Sequence, residues 1–213
     1  MLKRSAFTML ELIFVIVVIG ILAVLAMPSF NANPLKDAAE QVAEHIRYTQ
    51  HLAMVDDKYD PTDPLWYREN WQIEFTSTAS NVFYTIYSDA DHLGSPDNSE
   101  IAIDPLYRDR LTVDLLNNTS TRTDLKHKYG IASVTFSTSC SGNDGGTPTG
   151  GTGKELSFDT MGRPYFYITA ANPPSSNIYK YLLKSDCTIT LSDGSNNAVI
   201  TVRPETGYVS VSY

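Results

Sequence analysis

The stretch FTMLELIFVIVVIGILAVLAMPSF, residues 7–30, places one carboxylate, Glu11, inside a run otherwise made of apolar side chains. The apolar run from Phe7 to Met27 is 21 residues long. At about 1.5 Å per helical residue it reaches about 31 Å, the thickness of a bilayer's hydrocarbon core. The stretch therefore predicts a membrane-spanning helix. A secretory signal peptide would have a shorter apolar region, about 7 to 15 residues, followed by a small-residue cleavage site such as Ala23–Ala26 could mimic. The length of the run and its internal charge favour the spanning helix. Lys3 and Arg4 precede the run, and no basic residue follows before Lys36. That asymmetry predicts a cytoplasmic N-terminus and an extracytoplasmic remainder.

An ionised group inside a membrane segment is costly, so Glu11 calls for a partner. It is either close enough to the interface to meet water, or paired. A cut between Ala6 and Phe7 would create an amine four residues before Glu11. In a bundle of such helices, the carboxylate of one copy would pair with the amine of the next. An unpaired buried charge costs several kcal/mol, so pairing would set the axial register between subunits.

The segment KRSA followed by FTMLELIFVIVVIGILAVLAMPSF resembles the class III signal of type IV pilins and pseudopilins: a short basic leader, a small residue at the cut, Phe first in the mature chain and Glu fifth. One departure is Ala6, where most members have Gly. The resemblance implies cleavage after Ala6 by a prepilin peptidase, N-methylation of Phe7, assembly through Glu11, and bending of the helix at Gly20 and Pro28. It implies a leader at 1–6, a transmembrane and assembly helix at 7–30 and an extracytoplasmic pilin-like domain at 31–213. The implied location is the bacterial inner membrane, single-pass, with the domain in the periplasm, and then a pilus or pseudopilus. The implied partners are other pilins or pseudopilins, the prepilin peptidase and an inner-membrane assembly platform.

Past the run, Asn33-Pro34 with Asp37 reads as a cap, a first-turn proline and an acidic first turn. Leu35, Ala38, Ala39, Val42, Ile46 and Ala53 recur at three to four residues, which predicts an amphipathic helix from Leu35 to about Val55. The breaker-rich DDKYDPTDP, residues 56–64, ends it. Strands are predicted at 71–77, 81–88, 131–137, 155–159, 165–169, 187–191, 198–202 and 208–212 from β-branched and alternating runs. SDGSNN (192–197) and PETGY (204–208) read as hairpin turns of a C-terminal antiparallel meander. The segment 139–153 is too poor in apolar residues to pack and reads as a loop.

LSFDTMGRPY (156–165) and AVITVRPETGYVSV (198–211) resemble the strand-turn-strand patterns of the GspH/FimT-like minor pilins. The expected fold is α+β: a long N-terminal helix, transmembrane then amphipathic, packed on an antiparallel β-sheet domain.

Catalytic motifs are missing: the sequence has no phosphate-binding glycine loop, no His-Glu-x-x-His, no Cys-x-x-Cys and no Gly-x-Ser-x-Gly. The chain reads as a structural protein rather than an enzyme. His45 and His51 read as exposed polar histidines. In DADHLGSPDNSE, Asp89, Asp91, Gly94, Asp97 and Glu100 fall at positions one, three, six, nine and twelve of an EF-hand-like calcium loop. Leu93 stands at position five, where an oxygen belongs, and the flanks read as strands, so a solvated acidic loop is the stronger reading. Calcium is the one cofactor the sequence brings into view.

Cys140 and Cys187 are the only cysteines, with 46 residues between them. In an oxidising compartment they form either a disulfide or two separate thiols, and the compartment favours the former. The net charge of −8 becomes −10 when Lys3 and Arg4 leave with a leader. Nucleic acid is a poor partner for such a surface. The one gathering of cations, Arg122, Lys126, His127 and Lys128, is interrupted by Asp124 and reads as a solvated face. The expected role is a minor pseudopilin of a type II secretion pseudopilus, with a minor or major type IV pilin, including a DNA-uptake pilin, as the alternative.

Overall fold

The computed structural model describes residues 8–26, 33–94, 96–113, 122–140, 155–166 and 178–213. The processing residues Ala6 and Phe7, the bend at Pro28 and most of the 139–153 loop lie outside the described residues. The chain divides into two units, Met1–Asn33 and Pro34–Tyr213.

In the first unit, helix α1 spans Met9–Ala26 and runs through Gly20. Its 18 residues cover about 27 Å, a little short of a hydrocarbon core, and Glu11 charges its first turn. Among the described residues, no helix is long and apolar enough to cross a membrane. The span expected from Phe7 to Met27 is thus described only in part.

The second unit is built on helix α2, Pro34–Val55, which starts at the expected proline with Asp37 in its first turn. All six periodic positions predicted for its apolar face are buried. Ala38, Ala39 and Ala43 on that face let the helix axis approach the sheets closely. After Val55 the chain turns on aspartates: Asp57, Asp60 and Asp63 each accept a backbone N–H two residues on, from Tyr59, Thr62 and Leu65, at 2.7–2.9 Å. Such local bonds satisfy backbone groups that helix would otherwise claim.

The eight predicted strands all form: β1 Gln72–Ser77, β2 Val82–Tyr87, β3 Ser133–Phe136, β4 Glu155–Phe158, β5 Pro164–Phe166, β6 Cys187–Ser192, β7 Asn197–Val202 and β8 Val209–Ser212. They build two four-stranded sheets. The orders are β2-β1-β4-β5 and β3-β6-β7-β8, antiparallel throughout. Helix α2 contacts both sheets, reaching β1 and β4 of the first and β6, β7 and β8 of the second.

Register follows burial. On β6 and β7 the inward residues pair as Cys187 with Val202, Ile189 with Ile200 and Leu191 with Ala198, while the residues between them on each strand are half-buried. Shifting either strand by one residue would turn this set outward. Between the sheets, Phe75 on β1 meets Phe136 on β3 edge-on at 5.6 Å, and Phe136 meets Phe166 on β5 at 5.8 Å. These aromatic contacts make one core of two sheets.

The disulfide forms between Cys140 and Cys187. It ties the segment after β3 to the start of β6 across a sequence separation of 47. On the chain-entropy account, closing a loop of that length stabilises the fold by about 4 kcal/mol.

Candidate functional site

Helix α1 begins with a local device. Thr8 accepts the N–H of Glu11 through both its carbonyl oxygen, at 3.1 Å, and its Oγ1, at 3.3 Å. Thr8-Met9-Leu10-Glu11 therefore starts as half of a capping box, and a negative charge in the first turn suits the helix dipole. This gives Glu11 a role that the sequence reading missed, although Thr-x-x-Glu before an apolar run announces it. From Met9 to Leu22 the side chains are exposed around the whole circumference, and all but Glu11 and Gly20 are apolar. A helix apolar on every side needs lipid or other helices around it.

Helix α2 carries a buried polar cluster. His45, expected to be exposed, is buried, whereas His51 is exposed as expected. The reason is position: His45 stands beside Val42, Ile46 and Thr49 on the face that meets the sheets. Its Nδ1 lies 2.6 Å from the Tyr84 hydroxyl, which also accepts from Gln41 Nε2 at 3.5 Å. The hydroxyl is thus placed to donate its proton to Nδ1 of a neutral ring. Burial drives the His45 pKa down from 6.5 to about 4, with Arg122 and Lys128 helping and Asp104 opposing.

In the unfolded chain His45 takes up a proton below about 6.5, whereas in the fold it does so only near 4. Its contribution to stability is therefore complete above pH 6.5 and is lost as the pH falls toward 4. The full gap corresponds to about 3 kcal/mol. Between pH 7.5 and 5, urea unfolding followed by tryptophan fluorescence should show a loss of about 2 kcal/mol from this group. His45→Gln, whose amide can still accept from Tyr84, should flatten the profile; an unchanged profile would assign the pH dependence elsewhere.

Helix α2 also joins the two hairpins singled out in the sequence. LSFDTMGRPY is the β4–β5 hairpin and AVITVRPETGYVSV the β7–β8 hairpin. In the first, Asp159 accepts from the N–H groups of Met161 and Arg163, from Arg163 Nε at 2.7 Å and from the Tyr165 hydroxyl at 3.1 Å. Gln50 Nε2 then donates to Gly162 O at 2.8 Å and to Thr206 O at 2.9 Å, clipping both turns to the helix.

The acidic loop is more closed than a solvated loop. Asp89 and Glu100 are buried, and together with Asp91 their carboxylate oxygens lie within 4.8 Å of one another; Asp97 is not in the group. The loop's own backbone already engages these oxygens. Asp89 accepts from Gly94 N–H, and Glu100 accepts from the N–H groups of Asp91 and Asp97, at 2.9–3.2 Å. Burial raises the Asp89 pKa, and the neighbouring carboxylates add to the rise. Calcium takes six to eight oxygens, and with Leu93 at position five and Asp97 apart the loop does not assemble an EF-hand-like set.

The basic residues diverge. Arg122 pairs with Asp104 at 3.5 Å and stacks over the Tyr107 ring, Lys126 donates to Ala79 O, and His127 sits 2.8 Å from Asp124. Lys128 lies over the Tyr129 ring at 5.0 Å, so each of the four is engaged by a neighbour within the fold.

An amphipathic helix laid on antiparallel sheets is the α+β arrangement expected of the domain. The globular unit is α+β with antiparallel sheets. No family model matches the sequence, and no curated protein matches it. Among solved structures, the minor pseudopilin EpsH from the Type 2 Secretion System of Vibrio cholerae matches at 10% identity and a TM-score of 0.37, over 84% of this chain and 95% of that chain.

Proposed function

We propose that this chain is a structural, non-enzymatic subunit of a pilin-like filament, and specifically a minor pseudopilin of a type II secretion pseudopilus. The observation that carries the proposal is Glu11, a lone carboxylate in the first turn of a helix apolar on every side. Such a helix is suited to wait in the inner membrane with its N-terminus in the cytoplasm, and then to pack among copies and relatives of itself. The globular unit stands in the periplasm, where the Cys140–Cys187 bridge is stable. Prepilin peptidase removes residues 1–6 and methylates Phe7, and an inner-membrane platform assembles the product. The GspH/FimT-like assignment draws on the two hairpins that Gln50 holds together.

The intact mass of membrane-extracted protein tests this reading. The expected species begins at Phe7 and carries one added methyl group. A chain that retains Met1–Ala6, or one cut near Ala26, overturns the pilin reading.

A further inference from the structure

Separate segments of the chain bring a histidine and two carboxylates to one point. Asp63 lies in the turn before the short 3₁₀ helix Trp66–Glu69, Glu69 closes that helix, and His92 belongs to the loop after β2. His92 Nε2 is 3.3 Å from Glu69 Oε1 and 3.5 Å from Asp63 Oδ2, and the three ligating atoms lie within 4.8 Å of one another. The side chains are only 20–28% exposed. Nε2 itself is shielded from solvent and makes no hydrogen bond.

The distances separate two explanations. A protonated imidazole held by carboxylates would draw its N–H to an oxygen at about 2.7–2.9 Å. Neither separation is that short. Two donors that each stand about 2.0–2.1 Å from a shared ion, at the tetrahedral angle, are about 3.3–3.5 Å apart. The two separations from Nε2 match those of ligands around a shared ion. One imidazole nitrogen and two carboxylate oxygens form a donor set that suits zinc and neighbouring divalent transition ions. Two carboxylates beside one imidazole also supply the charge that balances a dication. Asp63 is held in place from behind, because its Oδ1 accepts the Leu65 N–H at 2.7 Å while Oδ2 faces His92. Such outer support is what fixes a ligating carboxylate.

We propose that Asp63, Glu69 and His92 form a binding site for a divalent transition-metal ion of the zinc class, with water completing the coordination. Bound there, the ion fastens the loop after β2 to the segment that leads into β1. The site is independent of the pilin reading.

The test uses the full chain, purified in detergent and stripped of metal, titrated with Zn²⁺ against a chromophoric chelator. One Zn²⁺ per chain is expected, with micromolar or tighter affinity and a raised thermal midpoint. His92→Ala and, separately, Glu69→Gln should each weaken binding by about tenfold or more. Asp91→Asn, in the neighbouring carboxylate group, and His127→Ala should leave it within about twofold. Should His92→Ala fail to fold, the isosteric Glu69→Gln decides. Absence of Zn²⁺ binding below the millimolar range, binding that survives both ligand variants, or loss in Asp91→Asn alone overturns the proposal.

Discussion

Gly207→Val is expected to destabilise the globular unit by about 4 kcal/mol, from backbone strain of about 1–2 kcal/mol together with a collision that breaks the Gln50 clip. Gly207 sits in the β7–β8 turn with φ at +62°, a left-handed conformation that a β-branched residue adopts poorly. A Cβ built there would stand 2.4 Å from Gln50 Nε2 and 2.7 Å from Gly162 O. Gln50 could swing away, but it would then abandon the carbonyls of Gly162 and Thr206 together. Gly162 O is backbone and cannot move without opening the β4–β5 turn. Gly194 separates the two contributions: its φ is +97°, and nothing lies within 4 Å of a Cβ added there. Gly194→Val should therefore show the strain alone, about 1–2 kcal/mol. Equal losses in the two variants, measured by urea unfolding, would remove the steric part of the argument.

The same turn shows what could be read from the chain and what could not. PETGY and SDGSNN announce hairpins because glycine and its polar neighbours encode positive φ locally, and the strands they join alternate with period two. What Gln50 does is not legible. Its two acceptors lie 112 and 156 residues away, and an exposed-looking glutamine carries no mark of such a role. The division into two sheets was hidden for a similar reason. Each strand advertises an inward face but not its neighbour, and β1 pairs with β4 across more than 70 intervening residues.

His45 is a different case, since its place between Val42 and Ile46 puts it on the apolar face. The six-residue spacing from His51 speaks only against a shared ligand site, whereas the spacing from Val42, Ile46 and Thr49 sets the burial of His45. The short helix Leu125–Tyr129 is too brief for periodicity, yet its ends are written in the sequence. Asp124 caps the N–H of His127 at 2.9 Å, and Gly130 closes the helix at φ +71°. The cluster of Asp63, Glu69 and His92 joins segments whose spacing matches no ligand motif, so only the folded chain brings it together.

Glu11→Ala is expected to leave the globular unit folded and the chain in the membrane, while reducing incorporation into filaments by about tenfold or more. On the proposed processing, the size follows from the cost of leaving the new amine of Phe7 unpaired among apolar helices, several kcal/mol where about 1.4 kcal/mol is already a factor of ten. Helix capping offers a competing explanation for any defect. Glu11 stands at the fourth position of a Thr-x-x-Glu start, so alanine would also remove an acid from the first turn, worth about 0.3–1 kcal/mol. Glu11→Gln tells the two apart, because glutamine serves the same place in a capping box but cannot neutralise an amine. If pairing sets the register, Gln fails as Ala does; if the cap is what matters, Gln restores assembly. Crosslinking of sheared filaments, with the disulfide intact as a folding control, gives the readout. Normal incorporation of both variants would leave Glu11 as a residue of the helix start alone, and the pairing account of this helix would fall.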